Sequence, residues 1–380
     1  MKKILAMLLA LCMIFALAAC GETAPAETKP AEEPAAEAPA EEPAAAPEEP
    51  AEETAPEAPA EEAPAEEIPA EAAYKLGLGV SLNMDSSKTG NAQVDATTAA
   101  VILDEQGKIV AVKIDVAQNK MDITDGAVDT EKEFLTKAEL GDDYNMVKFS
   151  DATLEWYQQA AAFEQFVLGM TGAEVEAMET VVNEEGHEVT TDETLYASCS
   201  ISIGDFKEAV VKACNDEQAA TFAGAGGFSL GLAIISKSDE STAPTAEEDG
   251  VVKMYSEYAA VVVDGDGVIL AAVTDATQPQ IKINAAGEIV ETTFKGTKRE
   301  LKEDYNMVKF SDATLEWYEQ AKNFTDYATG KTAEELRATE TKTNDEGHNV
   351  FVDETLYASV SISIDGMINV IAKAAENALA

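Results

Sequence analysis

Histidine is almost missing from this chain: 380 residues hold two, His187 and His348. Zinc centres and serine-hydrolase triads gather several such side chains in one place, so neither chemistry is within reach. Both histidines follow a glycine turn, the ordinary setting of a surface residue. Bases are scarce too. Twenty-six lysines and arginines stand against 72 acids, a formal net charge of −46. Such a surface repels nucleic acid and anionic headgroups. The apolar run Ile4–Ala19 is too short and wrongly flanked for a permanent spanning helix. No glycine-rich phosphate loop occurs, and no glycine elbow surrounds Ser198. Cysteines number four. Cys12 and Cys20 sit at the N-terminus, leaving Cys199 and Cys214 as two small buried thiols or as a bridge.

Proline is confined rather than absent. Eleven of 13 prolines fall within residues 21–72, together with 17 glutamates and one lysine, Lys29. This Ala/Pro/Glu segment cannot bury enough apolar surface to offset its ordering entropy, so it is expected to be disordered. At about 3.1 Å per residue it would reach on the order of 150 Å as a stalk. Before it, Lys2 and Lys3 lead into the apolar run, the layout of a secretory signal. The run ends Leu17-Ala18-Ala19-Cys20. This resembles the lipobox of bacterial lipoproteins, which implies a signal peptide over 1–20, lipid attachment at Cys20, and anchoring on the outer face of the cytoplasmic membrane or the cell surface.

The rest of the chain is written twice. "YNMVKFSDATLEWYQQ" from Tyr144 returns from Tyr305 with one change, Gln158 to Glu319. The same offset of 161 residues relates Glu184–His187 to Asp345–His348, and "DETLYASCSISI" from Asp192 to "DETLYASVSISI" from Asp353. Looser matches join Tyr74 to Phe228 and Asp104 to Asp264. Two homologous domains are expected, 73–216 and 228–380, with 217–227 as a short glycine-rich linker.

Within one unit, 74–83 and 97–116 read as strands, with Glu105–Gly107 as a hairpin turn and Asp264–Gly267 as its counterpart. Ser150 is the expected N-cap of a helix running to Gly169. Its stripe Trp156, Ala160, Phe163, Val167 predicts a core face, as does Trp317, Ala321, Phe324, Ala328. Thr171–Glu174 and Thr332–Glu335 each form a capping box. The alternation through 192–203 predicts a half-buried strand, and a helix over Asp205–Ala213 closes the unit, with Met367–Leu379 as its counterpart. Strands followed by helices imply an α+β fold: two tandem small antiparallel sheets with packed helices behind the stalk.

"DETLYASCSISIGDFKEAVVKA" resembles the C-terminal signature of the FMN-binding domain family, which carries flavin on extracytoplasmic proteins. Asp192, Ala197 and Ser198 match that pattern, and Asp353, Ala358 and Ser359 repeat it. The resemblance implies FMN as a cofactor, with Ser198 and Ser359 as phosphoester attachment sites. Leu195 and Leu356 replace a serine of the pattern, Tyr196 and Tyr357 a glycine, and serine replaces the acceptor threonine.

The expected function is a lipid-anchored surface protein that presents two non-catalytic domains to an unknown small-molecule ligand. Tyr157, Asp192, Tyr196 and Ser198, with Tyr318, Asp353, Tyr357 and Ser359, are the candidate contacts. The alternatives are an FMN-carrying electron-transfer protein and a structural protein of the cell envelope. No residue pattern calls for a metal or a catalytic group.

Overall fold

The computed structural model describes residues 72–123, 126–224 and 227–380. The signal, Cys20 and the stalk lie outside the described residues. The first half runs β1 (Ala72–Asn83), β2 (Asn91–Leu103), β3 (Ile109–Asp122), α1 (Lys137–Leu140), α2 (Met146–Phe149), α3 (Trp156–Val167), α4 (Gly172–Glu176), β4 (Thr180–Val182), β5 (Glu188–Thr190), α5 (Glu193–Tyr196), α6 (Gly204–Cys214) and β6 (Ala220–Gly224). The second half runs β7 (Ser229–Lys237), β8 (Gly250–Lys253), β9 (Tyr255–Val263), β10 (Ile269–Thr277), β11 (Gln280–Ile283), β12 (Ile289–Thr293), α7 (Lys298–Leu301), α8 (Met307–Phe310), α9 (Trp317–Ala328), α10 (Ala333–Arg337), β13 (Thr341–Thr343), β14 (Asn349–Phe351), α11 (Glu354–Ser359) and α12 (Asp365–Asn377). The fold is α+β.

The main sheets are antiparallel, ordered β3-β2-β1-β6 and β10-β9-β7. Each is covered on both faces. Leu76, Leu78, Val80, Ala100 and Ile102 of one meet Leu230, Leu232, Tyr258, Ala260 and Val262 of the other in a shared core. The opposite faces carry the helices: Val101, Val112 and Ile114 pack on Trp156 and Phe163, and Val261 and Ile269 on Trp317 and Phe324. Two-sided burial explains why β2 and β9 read as continuous apolar runs rather than alternating ones. Glycine lets the helices come down on the sheets: a Cβ on Gly231 would run into the carbonyl of Ala374.

A pseudo-two-fold relates the halves. Lys212 on α6 pairs with Glu300 at 3.1 Å, and its counterpart Lys373 on α12 pairs with Glu139, the counterpart of Glu300. When i meets j and j meets i, the contact is that of an isologous dimer, here built into one chain. The described residues accordingly cluster as one compact unit.

Three expectations need correction. The segment 217–227, expected as a linker, carries β6, which pairs antiparallel with Ala72–Leu76 of β1. Ser150 does not open a helix; it closes α2, its Oγ donating to the Met146 carbonyl at 2.8 Å. Helix α3 starts six residues later, behind Glu155. The stretch 192–203 is not a strand. Asp192 accepts from the N–H groups of Thr194 and Leu195, both at 2.9 Å, and caps α5. The buried positions are Leu195, Cys199 and Ile203. Their spacing of four had been masked by the apolar Ala197 and Ile201. The core stripes, the capping boxes, the hairpin turns and the closing helices stand as expected. Cys199 and Cys214 are free thiols, both pushed up to about 12 by burial.

Candidate functional site

The twice-written lines turn out to bond to each other. The Glu155 carboxylate accepts from the N–H groups of Met146 (2.7 Å) and Val147 (3.3 Å), fixing the turn ahead of α3. Gln159, 1 % exposed, donates to the Leu154 carbonyl at 2.9 Å, and its Oε1 accepts from Ser200 N–H at 2.9 Å. Glu316 and Gln320 repeat this with Met307, Val308, Leu315 and Ser361. One buried amide thus ties "YNMVKFSDATLEWYQQ" to "DETLYASCSISI", so neither block can drift alone. Gln159→Ala is expected to lower unfolding stability by about 1–3 kcal/mol, because the half-buried Leu154 carbonyl and Ser200 N–H lose their partner. Guanidinium denaturation checks this, with the half-exposed Tyr196→Ala as a control within about 0.5 kcal/mol of the parent.

The candidate contacts separate into two places. Asp192, Tyr196 and Ser198 share one turn, where local bonds already engage the polar groups: Asp192 caps α5, and Ser198 Oγ donates to the Leu195 carbonyl at 3.3 Å. Asp353 and Ser359 do the same, Ser359 Oγ reaching Leu356 O at 2.9 Å. Tyr196 is exposed, and Tyr357 lies under Lys342, 5.6 Å from its ring centroid. Tyr157 and Tyr318 sit on α3 and α9 and donate to Asp142 (3.2 Å) and Glu303 (3.0 Å). The negative charge beside each phenol holds it above its usual range. Both histidines are exposed beside their turns, and no group of three or more metal-ligating side chains forms among the described residues.

Sequence reasoning missed a pair of sequestered lysines, Lys298 buried and Lys137 half-buried. Lys137 Nζ stands 5.1 Å from the Tyr144 ring centroid and 5.5 Å from that of Trp156. Lys298 Nζ lies 4.9 Å from Tyr305, 5.2 Å from Trp317 and 5.0 Å from Tyr255. Desolvation lowers both ammonium groups, Lys298 to about 8. The compensating acids are Asp95 of β2, then Asp115 of β3 and Asp205 of α6, near Lys137, and Glu257 of β9 near Lys298. Gly366 leaves the room, since a Cβ there would strike the Glu257 carboxylate. The signal was available. The 161-residue offset extends back to "TKAEL" (Thr136–Leu140) and "TKREL" (Thr297–Leu301).

At the seam between the halves is a cleft of about 300 Å3. Its floor is β10 from Leu270 to Thr274, one wall is α9 with Tyr318, Lys322 and Thr325, and the other is Gln218–Thr221 leading into β6. Arg299 closes its end. The guanidinium donates to both oxygens of Asp216, at 3.1 and 3.0 Å, and to the Gln218 carbonyl at 3.0 Å. Arg299 and Asp216 are each 8 % exposed. Of the eight candidate contacts only Tyr318 lines this cleft. Arg299 and Asp216 carried no sequence signal beyond single differences from Ala138 and Asn377.

Among known proteins, the chain is similar to a chlorophenol reductase of Desulfitobacterium hafniense, 32% identical over 124 residues. The alignment takes in 28% of this chain and only 38% of that protein's length. No family model matches the chain, and no solved structure does.

Proposed function

We propose that this is a lipid-anchored protein of the outer face of a bacterial membrane, whose body binds a small-molecule ligand without transforming it. The seam cleft carries the reading. It has the volume of a small-ligand site, an enclosed guanidinium, and small apolar walls with a few polar groups, the usual make-up of such a pocket. The lipobox-like "LAAC" supplies the anchor. No helix among the described residues is long and apolar enough to cross a membrane.

Thr221 is exposed at the lip of the cleft. Thr221→Trp should fill it while leaving the unliganded melting temperature within about 2 °C, as expected for a surface change. Compounds from a metabolite library that stabilise the parent full chain should lose at least tenfold in affinity against Thr221→Trp. If every stabilising compound binds the filled variant equally well, the cleft is not the site.

A second reading, an electron-transfer protein, rests on the FMN-binding-like signature; the partial similarity to a reductase does not decide between the two. The attachment residues do not fit covalent flavin well. Ser198 and Ser359 spend their hydroxyls on local carbonyls, and Tyr196 and Tyr357 put side chains where the family has a bare glycine. Visible absorbance and intact mass of the full chain, exported from a host that flavinylates proteins, separate the two readings. A colourless protein without added mass supports ligand binding alone.

A further inference from the structure

The two halves differ at the outer edges of their main sheets, and the difference describes a ligand. In the first half Glu164 of α3 reaches the outer edge of β3, where its Oε1 accepts the backbone N–H of Ile114 at 2.6 Å. This N–H points away from β2, and the carboxylate covers it. In the second half, the residue 161 positions after Glu164 is Thr325, too short for that reach. The counterpart of Ile114 is Thr274, opposite Ala259 as Ile114 is opposite Ala99. Its N–H therefore turns out of the sheet in the same way, into the seam cleft. Thr274 is 2 % exposed, and no side chain among the described residues accepts from that N–H. A donor left without a protein acceptor on the floor of a cleft is open to a ligand's oxygen.

The neighbouring exchanges move the same way. Ala138 and Ala161 of the first half correspond to Arg299 and Lys322 of the second. Where one half supplies its own carboxylate, Glu164, with Lys113 nearby, the other lacks that carboxylate and brings Arg299 and Lys322, paired with Asp216 and Asp326. Arg299 is held by Asp216, yet its Nε–H meets no acceptor among the described residues. Lys322 is paired with Asp326 across one helical turn on an exposed face. Such pairs are worth only a few tenths of a kcal/mol, so Lys322 is free to turn to a better anion. Burial pushes Glu164 itself up to about 7, against the draw of the Ile114 N–H and of Lys113. The walls, Ala219, Ala220, Ala272 and Ala321, are low in relief and suit a flat body.

We infer that the seam cleft takes a small monocarboxylate with a flat apolar body, its carboxylate standing where Glu164 stands in the first half, accepting from Thr274 N–H between Arg299 and Lys322. The inference rests on the cleft being the ligand site. The test uses the full chain with 4-fluorobenzoate, followed by fluorine NMR, and benzamide as the uncharged competitor. Fluorobenzoate should bind at one site per chain, with benzamide at least tenfold weaker. Thr325→Glu, which gives the second half its own carboxylate, should abolish fluorobenzoate binding without lowering the melting temperature. Equal binding of acid and amide, or unchanged fluorobenzoate binding to Thr325→Glu, overturns the inference. A neutral compound that Thr221→Trp excludes would overturn the carboxylate while leaving the cleft as the site. Fluorobenzoate that ignores both variants would remove the cleft as well.

Discussion

Arg299→Ala should cost about 3–5 kcal/mol of unfolding free energy, the loss expected when one partner of a buried ion pair is removed and the other stays. Asp216 would keep its charge at 8 % exposure with only the Leu78 N–H, at 3.1 Å, and its own turn to hold it. Asp275 would suffer too, because the guanidinium is the largest influence drawing its raised carboxyl back down. The molecule also shows how the site can be neutral. At the pseudo-symmetric position the pair is Ala138 and Asn377, and Asn377 Nδ2 simply donates to the Leu232 carbonyl at 2.9 Å. The double variant Arg299→Ala, Asp216→Asn copies that arrangement and should recover to within about 1–2 kcal/mol of the parent. Urea denaturation of the parent and the two variants decides it. Equal loss in the single and the double variant would mean that the pair serves packing rather than charge.

The duplication was legible because it is a matter of identity and needs no geometry. The core stripes of α3 and α9 were legible because aromatic residues at spacings of three and four have few other uses. The error at 192–203 arose because Leu195, Ala197, Cys199, Ile201 and Ile203 satisfy period two while Leu195, Cys199 and Ile203 also satisfy period four. The Asp192 cap decides for the helix. The seam stayed hidden for a different reason. Arg299, Thr274 and Thr325 come from separate elements of the second half, and Asp216 joins them only when one half folds onto the other. No local spacing encodes that meeting. What the sequence does contain is the comparison between halves, and the informative positions there are the unmatched ones. Tyr318 entered the candidate set for its exposure on a matched helix, and reached the cleft only because α9 forms its wall.

Stability should fall as pH rises from about 4 to about 7, against the usual behaviour of an acidic protein. Asp115 and Asp275 are raised by burial to about 6, and Glu164 to about 7. A folded carboxyl titrating above its unfolded value binds its proton more tightly in the native state. Its stabilisation is complete below the unfolded value, near 4, and is lost as pH climbs through the folded one. Glu257 and Asp205 are raised as well and act in the same direction. Lys298, lowered to about 8, is protonated in both states throughout this window and contributes no slope there. A shift of about two pKa units in each buried aspartate corresponds to about 3 kcal/mol apiece, and the partly accessible Glu164 adds less. The two aspartates are pseudo-symmetric, each accepting from the first turn of a capping-box helix: Ala138 N–H at 3.0 Å and Arg299 N–H at 3.1 Å. Asp275→Asn keeps an acceptor oxygen for that N–H and cannot ionise, so it should flatten the profile by about half. Asp115→Asn with Asp275→Asn should remove most of it, so that the double variant loses little stability between pH 5 and pH 7.5. Melting temperatures at half-unit intervals from pH 4 to 8 measure the slope. A parent profile that rises over this range would show that both carboxyls ionise freely in the folded chain.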